Sequence, residues 1–196
     1  MSQSVIDGRV DGRVRRGEAN RHAIVDALLS LTAELGAMPT SIAIADRAGV
    51  AKRSIFHHFT DMEELLVEAG KTQLERYWHV LQVPPEGALA ERLAVAMDQR
   101  ARLFEAIGDV RRVATLYQSG SPALTERMRQ SRLMLRRHLR QCLEPEISEA
   151  RRDVQDGIQA IASWEAWEVL RRHQRLSVSA AKAAVQSMIE AALERA

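Results

Sequence analysis

The feature that most constrains this chain is where its five prolines fall. Pro39, Pro84, Pro85, Pro122 and Pro145 all lie between stretches whose apolar residues recur with a helical period. Proline removes a backbone donor and clashes with the preceding helical turn, so this placement leaves long helices intact and marks their ends. Strand-like alternation occurs only in "SIAIA", residues 41–45. A lone short strand has nothing to pair with, so this stretch reads as the start of a short helix after Thr40, a potential cap.

The run Ala23, Ala27, Leu28, Leu31 and Leu35 has the spacing of an amphipathic helix and stops at Gly36. Thr60 with Glu63 three residues on has the form of a capping box, opening a helix that continues to Pro84-Pro85. Further helices are expected over 87–107, 109–118, 122–143, 148–173 and 177–195, with Ser121-Pro122 and Ser177 as N-terminal signals. The expected fold is all-α, with about nine helices in total. Residues 1–16, rich in Gly, Asp and Arg, read as a flexible arm.

Between Thr40 and Phe59 the pattern is helix, tight turn, helix. Ile44, Ala45 and Ala48 give the first helix an inward face, Gly49 suits a left-handed turn, and Val50 tucks inward. Ile55 and Phe59, four apart, share the buried side of the second helix. Lys52, Arg53, Ser54, Phe56 and His57 then form an exposed rim of donors and one aromatic edge, suited to a DNA major groove. An ordinary helical hairpin with a solvated charged face has the same spacing.

The stretch "TSIAIADRAGVAKRSIFHHFTDMEELL", residues 40–66, resembles the N-terminal domain of the TetR family of bacterial transcription regulators. Thr40, Ile44, Ala45, Ala48, Gly49, Val50, Ile55, His58, Phe59, Glu63 and Leu65 match its pattern, and the helix ending at Gly36 sits where the family has its first. Departures are Ala51 for the usual serine, Phe56 for tyrosine, and Met62 where a lysine usually contacts the DNA backbone. The resemblance implies a three-helix DNA-binding domain over 17–62 and a helical ligand-binding and dimerisation domain over 63–196. It assigns DNA contact to Thr40, Ser41, Ala51, Lys52, Arg53, Ser54, Phe56, His57 and His58. Arg13, Arg15 and Arg16 form either an arm toward the phosphates or minor groove, or a solvated tail.

In the C-terminal part, Trp164 and Trp167 form a second apolar stripe on their helix, and Ala180, Ala184, Ser187 and Ala191 a small-residue face on the last. A helix apolar on two sides has two things to pack against. The expectation is a four-helix interface between two copies of the chain; the other reading is that the second stripe covers the chain's own core. Homodimerisation is also what the resemblance implies. It further implies a small-molecule effector pocket in the middle helices, for which Trp78, Met97, Phe104, Tyr117 and Met128 are candidates.

Composition narrows the rest. A chain of 196 residues buries an ample core without staples, and a single cysteine, Cys142, forms no internal disulfide and no cysteine zinc cluster. No apolar run reaches signal-peptide or membrane-spanning length, so a cytoplasmic location and no membrane partner are expected. The net charge of +2 equals the excess within residues 1–60, which hold eight Lys/Arg against six acids. That is too small to argue for nucleic acid by itself.

His57 and His58 are consecutive, so their side chains diverge by about 100° on a helix. Neither has a ligand at metal spacing, and no phosphate loop or nucleophile elbow occurs. The expected function is therefore a sequence-specific DNA-binding regulator rather than an enzyme, with double-stranded DNA as partner and no cofactor. The competing reading is a helical interaction module, or a DNA binder without sequence preference.

Overall fold

The structure is a computed structural model describing residues 3–81 and 86–194, with side chains from residue 14 onward. The described residues form helices and connecting turns, without a strand. The helices are α1 (Gln3–Leu35), α2 (Ser41–Ala48), α3 (Lys52–His58), α4 (Met62–Trp78), α5 (Leu89–Tyr117), α6 (Pro122–Cys142), α7 (Glu146–Glu149), α8 (Arg152–Ile161), α9 (Trp164–Glu168) and α10 (Val178–Leu193).

The chain divides into two compact units: Met1–Thr72 with Asp109–Thr125, and Gln73–Gly108 with Glu126–Ala196. This differs from the boundary expected at residue 62, because a segment distant in sequence belongs to the first unit. Within that unit the Ser121 hydroxyl bonds the Glu63 carboxylate and also caps α6 by accepting from the Leu124 amide at 2.9 Å.

In the first unit α1 packs on both α2 and α3. Ile24, Leu28, Ile44, Ile55 and Phe59 are all essentially inaccessible to solvent. Burying each such side chain is worth about 1.5–3 kcal/mol, enough for a short element like α3 to be held by its packing rather than by its own helical preference. Residues 3–16, expected as an arm, continue α1: Gly8, Gly12 and Gly17 weaken a helix without ending it, and no proline precedes Pro39.

The second unit is built on a core that includes Leu93, Met97, Phe104, Leu139, Trp167 and Val185. Two expected breaks moved. Residues 89–117 form one helix through the buried Gly108, where two had been expected. The single helix expected over 148–173 is instead interrupted at Ala162, where Ser163 accepts from the Ala166 amide at 3.1 Å and starts α9 afresh. A wider turn over Val169–His173 then carries the chain toward α10, which Ser177 caps through the Ala180 amide at 3.1 Å. The capping box of α4 falls one residue later than expected: Asp61 accepts from the Glu64 amide at 2.8 Å, and the Glu64 carboxylate accepts from Thr60 N–H at 2.6 Å. Pro84 and Pro85 lie outside the described residues.

Candidate nucleic-acid interface

The interface is assembled by two short helices and the turn between them. Thr40 opens α2 by accepting from the Ala43 amide at 3.2 Å. Gly49 closes it in the left-handed region at φ 67°, ψ 30°, and the Val50 amide returns to the Ala45 carbonyl at 3.0 Å. A side chain at residue 49 would meet open space, so what the site requires of glycine is its backbone freedom. Ala51 then takes the cap position of α3 without a side-chain hydrogen bond, and the Ser54 amide donates instead to the Ala51 carbonyl at 2.8 Å.

Ile55 and Phe59 hold α3 from within, and Lys52, Arg53, Phe56 and His57 face solvent while Ser54 and His58 are half-buried. Thr40 and Ala51 are exposed and Ser41 is half-buried, so all nine expected contact residues lie along α2, α3 and their entries. Among the described residues Lys52 and Arg53 have no ion-pair partner. They also occupy the first turn of α3, where the helix dipole disfavours cations. Neither charge serves the helix, and both are available to an external anion.

Behind this surface α1 and α4 supply a brace. The Arg21 guanidinium sits 4.5 Å from the centre of the Phe59 ring and 3.4 Å from the Glu68 carboxylate. A side chain at Gly17 would meet the His58 ring at 3.9 Å, so α1 passes close to the end of α3. Burial, then the neighbouring His57 and Arg21, push the His58 imidazole below the usual histidine range. Arg47 forks onto Glu34 at 2.7 and 2.8 Å and bonds Ser30 at 3.1 Å, tying α2 to α1; the guanidinium holds Glu34 below the usual carboxylate range.

Arg21, Glu34 and Arg47 were not legible as a site, because partners 13 or 47 residues apart share no sequence spacing. The one signal was Arg47 in the last turn of a predicted helix. Arg15 and Arg16 are exposed on α1, and the Arg13 side chain lies outside the described residues.

Other candidates fare differently. Trp164 and Trp167 correct the expected interface between copies: each is 5% exposed and part of the second unit's own core, with the Trp167 indole N–H donating to Glu105 at 2.9 Å. The break at Ala162 restarts the helix and sets both rings inward. Ala180 and Ser187 are exposed and Ala184 and Ala191 half-buried, so the small-residue face of α10 is open. Of the expected pocket residues, Met97, Phe104 and Met128 are buried, Trp78 packs against the core, and Tyr117 is half-exposed in the first unit. Two grooves in the second unit, one of about 600 Å³ beside Leu89 and Leu193 and one of about 250 Å³ beside Arg136 and Arg140, are lined by none of these.

Residues 24–69 match the family profile for bacterial regulatory proteins, tetR family. No curated protein matches the chain. Among solved structures, a transcriptional regulator from Rhodococcus sp. Rha1 is similar at 22% identity and a TM-score of 0.71, over 89% of this chain and 96% of that one. The fatty acid degradation regulator FadR from Bacillus halodurans is similar at 18% identity and a TM-score of 0.64, over 86% of this chain and 93% of that one. At these identities the likeness is one of fold, and it extends well beyond the helix-turn-helix. A left-handed glycine turn, a two-turn helix anchored by Ile55 and Phe59, and the profile over the same residues agree: residues 24–69 carry the N-terminal domain of the tetR family of bacterial regulatory proteins.

Proposed function

We propose that the chain is a homodimeric repressor that reads a palindromic operator with α3 and releases it when a small effector binds the second unit. The observation that carries this reading is the unpaired Lys52-Arg53 rim on a helix whose opposite side is fully buried. Arginine and lysine reach guanine edges or phosphates in the major groove, Ser54 a phosphate or base, and the exposed Phe56 edge a thymine methyl. A helix of seven residues reads too few bases alone, and two-fold symmetry presents a second copy to the matching half-site. With the tryptophans in the core, the open face of α10 around Ala180, Ala184, Ser187 and Ala191 is the surface we assign to that pairing, and sedimentation as a monomer at micromolar concentration would remove it. Arg15 and Arg16 extend the same basic surface along α1.

Effector control rests on the resemblance to regulators of this fold, including one named for fatty acid degradation. A ligand shifts such a switch only through different affinity for its DNA-bound and released states. Met97 and Phe104, with Trp78 against the same core, are the side chains we place at the ligand. The DNA reading is tested by Arg53→Ala, expected to weaken specific binding by about 1–3 kcal/mol while leaving dimerisation intact. Equal operator binding by the variant in a gel-shift titration removes Arg53 from the reading surface. A helical interaction module without base reading would instead bind DNA with strong salt dependence and no preferred sequence.

A further inference from the structure

Arg100 is 3% exposed, in the middle of α5 within the second unit, and among the described residues no carboxylate pairs with it. Its Nη1 donates to the Ala162 carbonyl at 2.8 Å and its Nη2 to the Leu135 carbonyl, while the buried Nε has no acceptor. Buried guanidinium groups are ordinarily compensated, because an uncompensated buried cation is costly. Arg92 of the same helix shows the usual solution: it reaches the Glu146 carboxylate at 2.6 Å and the carbonyls of Gly87, Cys142 and Glu144.

The surroundings of Arg100 supply polarity without negative charge. The His138 ring bonds Gln99 Oε1 at 3.1 Å and lies 3.5 Å from Cys142 Sγ. Burial, then Arg100, pushes His138 down to about 4, and burial pushes the Cys142 thiol up to about 11, so both are neutral near pH 7. Burial also lowers Arg100, to about 10, and it keeps its charge at that pH. Around this one positive charge the core is apolar, with the Phe104 ring centre at 6.0 Å and Met97 in the same cluster. Methionine repacks readily around an incoming group.

We propose that Arg100, with Gln99 and His138 beside it, anchors the acidic group of the effector, and that the effector is a small monocarboxylate with an apolar body. The inference rests on the effector reading above. A carboxylate supplies the missing counter-charge, takes the idle Nε donor, and competes for the donor that now holds Ala162 at the break between α8 and α9. Ligand binding and the geometry of that break are thereby coupled inside one unit.

The test uses the full-length protein and amphiphiles of one chain length that differ in head group: decanoate, decan-1-ol and decyltrimethylammonium, each below its micellar concentration at pH 8. Intrinsic fluorescence of Trp164 and Trp167 in the same core cluster, and of Trp78 packed against it, reports binding. Decanoate is expected to saturate and to bind about tenfold or more tighter than the alcohol, the scale of one charge-assisted hydrogen bond. Arg100→Met is expected to lose that same preference and keep the alcohol's affinity. Decanol binding as tightly as decanoate, no saturable response to decanoate, or native decanoate affinity in the variant each overturns the proposal. The head-group comparison needs no variant, so it decides the matter even if Arg100→Met fails to fold. Release of operator DNA by a neutral compound, with no preference for carboxylates, would remove the anchor and leave effector control standing; failure of every compound in a broad library to release DNA would remove effector control itself.

Discussion

At the scale of the residue, the same chemistry has opposite consequences depending on burial. His57 and His58, adjacent in the sequence, end α3, and only the second is drawn inward. His138, which attracted no attention in the sequence, is 3% exposed and held at about 4 against an ordinary 6.5. A histidine depressed in the folded state stays neutral there while the unfolded chain takes up a proton. Its contribution is therefore intact above the unfolded value and is lost as pH falls from about 6.5 toward 4. Between pH 7 and pH 5 this amounts to roughly 2 kcal/mol of stability. His138→Gln is expected to flatten that dependence; urea unfolding at the two pH values measures it, and an equal loss in the variant would assign the acid sensitivity elsewhere.

At the scale of the element, the first unit shows local and tertiary signals agreeing. Thr40, Gly49 and the Ile55/Phe59 spacing were all readable because caps, left-handed turns and helical faces are encoded within a few residues. Gly49→Ala is expected to cost about 1 kcal/mol from backbone strain alone, since no neighbour crowds the position. It should weaken DNA binding with it, and an unchanged melting temperature would contradict the turn's assigned role. Reading failed where two local signals nearly tied or where the deciding contact was distant. Asp61 displaced Thr60 as the cap of α4, although both are good caps. Gly108 permitted a continuous α5. The break at Ala162 is stabilised by Ser163 and by Arg100 from 62 residues away, and no periodicity argument anticipates the second. The tryptophans were misplaced for the same reason: their stripe is real, but the break decides which way it turns.

At the scale of the whole molecule, the fold class and the helix-turn-helix were legible, whereas the division into units was not. Asp109–Thr125 belongs with residues far earlier in the chain, a fact of topology that composition does not mark. The proposed function rests on a surface built by the first unit, and its central claim is that two copies of α3 read a palindrome. Selection of bound sequences from random double-stranded DNA by the full-length protein tests this most directly. The account predicts enrichment of an inverted repeat whose half-sites are centred about one helical turn, or a multiple of it, apart. Recovery of unenriched DNA, or of a single half-site without its inverted partner, would contradict it.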